Sequence, residues 1–204
     1  MSLPHAHQRI IDAEMRASRR ELLRQFRREL RRDPETLVAP RFLDVADWPA
    51  VCTAITIAAG GGADACALHA PSPYTSVWRI VRHRGLPAAL LDHLSTVGPT
   101  RPSVLSAVLS TGAPLRIDDL TVSPILAGEP GPGLMLAAGI RSVHSYPLHH
   151  PQGSLLAVLT LYNRTKGRHP AHARLAKVAA EALATSATRS PSRPPVTASR
   201  TAAP

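Results

Sequence analysis

Between Arg141 and Tyr162 the chain alternates, reverses and then runs apolar. Arg141 to His149 sets Val143, Tyr146 and Leu148 among polar neighbours, while Ser154 to Tyr162 holds Leu155, Leu156, Val158, Leu159 and Leu161. The second run is too continuous for a half-exposed strand and predicts a central strand covered on both faces. Pro151, Gln152 and Gly153 lie between the two runs and predict a tight reversal, with Gly153 at a positive φ. Such a hairpin needs helices against it.

The rest of the chain supplies them. Residues 5 to 32 read as one helix, with Pro4 in its first turn and Asp33-Pro34 as its stop. Ile11, Met15, Leu22, Phe26 and Leu30 form a narrow stripe, interrupted by Ser18 and Arg19. Arg16, Arg20, Arg24, Arg27 and Arg31 cover the opposite side, with Glu21 and Glu29 among them. A stripe so narrow cannot hold a helix alone, so this one packs on the domain, pairs with a second copy, or frays.

Residues 34 to 46 lack periodicity and read as a linker. Asp47 caps a helix with Pro49 in its first turn, and Gly60-Gly61-Gly62 stops it. A strand over 63 to 70, a turn at Pro71-Ser72-Pro73 and a strand from Val77 to Arg84 follow. Short helices are expected over Ala88 to Leu94 and over 103 to 110, the latter ended by Gly112. Then come a short strand from Pro114 to Asp118, a loop from Leu120 to Gly133, and one helical turn from Leu134 to Ala138. The last helix runs from Ala171 to about Ala187, with Leu175, Val178, Ala179, Ala182 and Leu183 on one side. The Pro/Ser/Thr/Arg-rich tail beyond it reads as disordered. The order β-β-α-α-β-α-β-β between flanking helices gives an α+β fold: an antiparallel sheet with helices on its faces.

Gly139-Ile140-Arg141-Ser142, the Pro147-Leu148 ending, the polar turn with Gly153 and the Leu155-Leu156 strand resemble the closing hairpin of a GAF domain. The helix, glycine stop, Ala63-Asp64 and strand resemble its opening. HRGLPAALLDHL and the strand that ends in Asp118 resemble its middle. The resemblance spans residues 42 to 188, with 1 to 41 as a basic helix and linker before it and 189 to 204 as a tail. It implies a sensory module, related in shape to PAS domains, with a pocket between the sheet and the helices and loop opposite. Residues 86 to 135 would be the wall. The floor would include Arg79, Arg141, His144 and Tyr146, with Asp118 and Asp119 beside them. Arg141 is the candidate anion contact, unless it forms a salt bridge with Asp118 or Asp119. The resemblance further implies a homodimer through the terminal helices and a separate protein partner carrying the output.

Composition narrows this picture. Of the net charge of +10, the first 41 residues hold +4, residues 42 to 188 hold +3 and the last 16 hold +3. The basic character therefore belongs to the ends. The exposed candidates for an acidic partner or nucleic acid are Arg20, Arg24, Arg27 and Arg31. Nucleic acid is not favoured, because Phe26 is the only aromatic on that helix and sits in the apolar stripe. Aromatic residues are 3% of the chain, so the core is built from Ala, Val and Leu. The Ala, Arg and Pro richness fits a high-GC bacterial coding bias. Two cysteines, no secretory apolar segment and no run of membrane-spanning length suggest a reduced, cytoplasmic protein.

Catalysis is not expected. The chain holds no Gly-x-Ser-x-Gly elbow and no glycine-rich loop followed by Lys-Ser/Thr. Free methionine sulfoxide reduction, an activity of some GAF domains, relies on cysteines around the pocket, whereas Cys52 and Cys66 fall on the opening helix and the first strand. The same placement argues against a covalent bilin. His93 lies in the region where noncovalent haem would need a ligand. His5 and His7, His149 and His150, and His169 and His172 are paired, but none has a further ligand at metal-motif spacing. No Asn-Lys-x-Asp run of the cyclic-nucleotide type is present. The ligand stays unassigned.

Overall fold

The computed structural model describes residues 3–72, 77–96, 102–124 and 130–189. Pro73, the middle of the loop between Leu120 and Gly133, and the tail from 190 onward lie outside these residues. The elements are α1 (Leu3–Arg32), α2 (Pro40–Leu43), α3 (Trp48–Ala59), β1 (Ala65–Pro71), β2 (Trp78–Arg84), α4 (Ala88–Thr96), α5 (Val104–Thr111), β3 (Leu115–Ile117), α6 (Pro130–Ala137), β4 (Ser142–His149), β5 (Leu155–Asn163) and α7 (Ala171–Arg189).

The five strands form one antiparallel sheet in the order β2-β1-β5-β4-β3. The apolar run of β5 is thus central, paired with β1 through Cys66↔Leu161 and with β4 through Tyr146↔Leu159. The hairpin closes as its residues dictate: Gly153 takes φ +93°, donates to the His150 carbonyl at 2.8 Å, and the His150 N–H donates to Ser154 at 2.7 Å.

Side-chain alternation divides the core into two layers. On one face Cys66, Leu68, Tyr146, Leu148, Leu159 and Leu161 pack against α1, α3 and α7. On the other Ala65, Ala67, Val143 and Tyr162 pack against α4, α5 and α6. The segment 34 to 46, expected as a linker, is ordered instead: Pro34–Val38 forms a 3-10 turn capped by Asp33, and α2 follows. Leu37 and Phe42 are fully buried there, and the Phe42 ring meets Phe26 edge-on at 5.4 Å. Two well-placed apolar anchors are too few to make a periodic signal. Likewise α6 begins at Pro130, earlier than the turn expected at Leu134, because a proline suits the first turn of a helix.

Among the described side chains of α1, those of its second half carry the packing. Leu22, Leu23, Phe26 and Leu30 lie against the core, whereas Ile10 is 58% exposed and Ile11 and Met15 are also exposed. Two further contacts add to this packing at the ends of α3. Arg19 pairs with Asp47 at 2.5 Å, and the backbone of Gly61 sits against the Arg31 carbonyl. Asp47 does double duty, because its other carboxylate oxygen accepts from the Ala50 N–H at 2.9 Å and caps α3. Asp47→Ala should therefore cost about 1–2 kcal/mol, measured by urea unfolding. Asp47→Asn, which keeps the cap and removes the charge, should recover most of it.

Candidate functional site

Where α4, α5 and α6 cover the sheet they leave a cavity of about 30 Å³. That is room for ordered water and too little for a metabolite until the helices part. Its wall is His93 and Leu94 from α4, Ser103 and Val104 at the start of α5, and Met135 from α6. Its floor is His69, Thr160 and Tyr162, from the two central strands. Local sequence builds this wall. Ser103 accepts from the Ser106 N–H at 3.0 Å while Ser106 reaches back to the Ser103 N–H at 2.9 Å, so a reciprocal cap fixes where α5 begins. Gly131 has no side chain because a Cβ there would lie 3.0 Å from His93 Nε2.

His69 is the chemically exposed point of this cavity. The ring is 3% exposed and its Nδ1 has no hydrogen-bond partner among the described residues. Burial alone pushes its pKa down to about 4, so the ring is neutral at neutral pH. Beside it on the floor Thr160 is occupied with Ser145, their hydroxyls 2.9 Å apart.

A second polar cluster lies on the opposite face of the sheet. His144, on β4, is 1% exposed and approaches Asp118 on one side and His172, at the start of α7, on the other. The rings of His144, His169 and His172 stand 4.9 to 5.5 Å apart. Both nitrogens of His144 and His172 are spent, on each other, on Asp118 and on the Gly62 carbonyl, and Nε2 of His169 lies against Ser142. No group of three or more His, Cys, Asp or Glu among the described residues is arranged to hold a metal ion.

A family model of the GAF domain matches residues 52–187. The chain belongs to the GAF domain family. Solved structures with the same fold include the GAF domain/HD domain protein from Geobacter sulfurreducens, with a TM-score of 0.55, 15% identity, and coverage of 70% of this chain and 93% of that one. The GAF domain region of a putative membrane protein from Geobacter sulfurreducens PCA has a TM-score of 0.53, 16% identity, and coverage of 63% and 83%. The free methionine-R-sulfoxide reductase from Neisseria meningitidis, solved with its substrate, has a TM-score of 0.52, 15% identity, and coverage of 85% and 93%. At such identities the likeness carries the fold alone. No curated protein matches in sequence. The GAF family is one of sensory and ligand-binding modules in signalling proteins. No helix among the described residues is long and apolar enough to cross a membrane.

The GAF fold places the residues singled out in the sequence as follows. Of the wall expected from 86 to 135, parts of α4, the start of α5 and parts of α6 line the cavity. Of the residues expected on the floor, His144 and Tyr146 instead face α3 and α7 across the sheet. Arg79 is exposed on the edge strand β2. Arg141 forms no salt bridge with Asp118 or Asp119; its guanidinium donates to the carbonyls of Leu136 at 3.1 Å and Ile140 at 3.0 Å, tying α6 to the hairpin. Asp118 pairs with His144 at 2.9 Å, and Asp119 with Lys166 at 2.9 Å. The Lys166 and Thr121 contacts hold Asp119 down to about 2. Arg20, Arg24, Arg27 and Arg31 are all exposed on α1, with Arg24 paired to Glu21. His69 and Thr160 were missed in the sequence. Their signal was a lone histidine inside the apolar strand ACALHAP and a lone threonine inside LLAVLTLY.

Proposed function

We propose that this GAF domain is a non-catalytic, cytoplasmic sensory module. It binds a small molecule between the sheet and α4–α6, and passes occupancy through α1 and α7, as a homodimer, to a separate partner. The observation that carries this reading is His69: a buried imidazole on the floor of the cavity, neutral at neutral pH, whose Nδ1 has no hydrogen-bond partner among the described residues. Leaving such a group unpaired costs about 1–3 kcal/mol, which a ligand hydroxyl or amide would recover. Leu94, Val104 and Met135 favour an apolar body around that polar group. Exposed Ile10, Ile11 and Met15 on α1 support a second copy or a partner on that helix.

The cysteines argue against redox chemistry in the cavity. Cys52 and Cys66 form no disulfide and are buried in the layer on the other side of the sheet. Burial pushes the Cys66 thiol up to about 11 despite Arg84 beside it, so it stays protonated and unreactive.

Native mass spectrometry of freshly purified protein, against the same sample denatured, tests the reading. A dimer with an added mass that vanishes on denaturation is expected. Gly131→Val, which drives a side chain against His93, should lose at least about tenfold in affinity for that species, a change of about 1.4 kcal/mol. A clean protein mass, with no small molecule raising the melting temperature of the parent over Gly131→Val, would overturn it.

A further inference from the structure

The polar cluster at the root of α7 can be read by counting protons. Asp118 Oδ1 lies 2.9 Å from His144 Nε2, His144 Nδ1 lies 3.2 Å from His172 Nδ1, and His172 Nε2 lies 3.0 Å from the Gly62 carbonyl oxygen. These are three contacts in line, and each needs a proton between its heavy atoms. Both ends of the line, a carboxylate and a carbonyl, only accept. Two neutral imidazoles bring two protons, so the line is one proton short unless it binds another.

The contacts also fix where the third proton goes. Gly62 requires His172 to donate from Nε2, so neutral His172 accepts at Nδ1. His144 must then donate to it from Nδ1. To fill the contact with Asp118, His144 must also donate from Nε2, which makes it an imidazolium against a carboxylate. His169 lies beside this line and does not complete it. The Ser142 hydroxyl donates to the Thr165 carbonyl at 2.8 Å, so it accepts from His169 Nε2 at 3.3 Å.

The surroundings allow one charge here and not two. Around His144, β3 presents Arg116 and leads into Asp118, β4 carries Tyr146, and β5 presents apolar Leu161. The approach to α7 brings His169, His172 and, 3.7 Å from the second oxygen of Asp118, Arg168. The end of α3 brings the Gly62 carbonyl. Burial pushes His172 down to about 4 and His144 below its ordinary value, while Asp118 pulls His144 back up. The Asp118 end is therefore the place for the single proton.

We propose that Asp118, His144 and His172 form a one-proton switch that makes this protein pH-sensitive at the base of its C-terminal helix. With the proton bound, all three contacts hold, and the first turn of α7 is tied to the end of α3 and to the loop after β3. Without it, one contact is lost and that tie loosens. The switch does not depend on the cavity, so either reading can fail while the other stands.

Asp118→Asn tests it. Asp118 is 41% exposed and the change is isosteric, so the fold tolerates it. The new amide can donate to His144 Nε2 and fill the contact without an added proton. In the parent, the ring resonances of His144 and His172 should move together, with one shared midpoint below the ordinary histidine value. In Asp118→Asn that midpoint should fall by about one pH unit or more, and the protection factors of the amides at the start of α7 at about pH 8 should rise to those of the parent in acid. Independent midpoints for the two rings, no titration of either, or an Asp118→Asn variant that titrates like the parent would each overturn the proposal.

Discussion

Gly61→Ala should destabilise this GAF domain by about 2–3 kcal/mol, lowering its melting temperature by about 5 °C or more. A Cβ at Gly61 would lie 2.1 Å from the Arg31 carbonyl oxygen and 3.3 Å from the Ala58 carbonyl. Both are backbone atoms that cannot rotate away. Relief must come from moving the end of α1 off α3, and α1 carries Leu22, Phe26 and Leu30 into the same core as Leu37 and Phe42. Faster proteolysis within α1 than within the sheet would identify the displaced element. Gly62, one residue on, has nothing near its missing side chain. Gly62→Ala should therefore change the melting temperature little, and equal losses in the two variants would show that helix ending, not close approach, explains the glycines.

His69→Leu should flatten the acid side of the stability profile. The parent ring is neutral in the fold with a pKa of about 4, whereas in the unfolded chain it titrates near 6.5. A base whose folded value is depressed contributes stability above its unfolded value and loses it as pH falls through the folded one. The loss therefore develops between about pH 6.5 and pH 4 and amounts to about 3 kcal/mol, since each unit is worth about 1.4 kcal/mol. His172, pushed the same way, leaves part of the parent's acid sensitivity in the variant. Urea midpoints at several pH values would measure the difference. Curves for the parent and His69→Leu that stay parallel down to pH 4 would show that His69 reaches solvent or a partner.

The elements written in local residues were legible. The hairpin, the Asp47 cap and the glycine stop each depend on a few adjacent side chains, and the structure forms them where the pattern puts them. The floor of the cavity was not legible in the same way. Which strand residues share it depends on side-chain alternation and on strand order together, and only the folded sheet brings β1 beside β5. Arg141, His144 and Tyr146 are close in sequence, yet His144 and Tyr146 point to the α7 layer and Arg141 is absorbed by backbone carbonyls. Conversely, His69 and Thr160 are 91 residues apart in sequence and line one wall of the same space. The Asp118–His144–His172 line was hidden for the same reason, since its members come from three separate elements.

The order of the strands also decides how copies of this protein can avoid fusing. The sheet ends in β3, three residues long, and in β2, whose seven residues include Arg79, Arg82, His83 and Arg84. One border is too short to template a neighbour and the other repels its own image. The long apolar strand that would be most hazardous if bared, β5, is the one with a partner on each side. Crowded solutions of the folded protein should therefore resist fibrillar growth, and the helices are left as the surfaces through which it can meet its own kind.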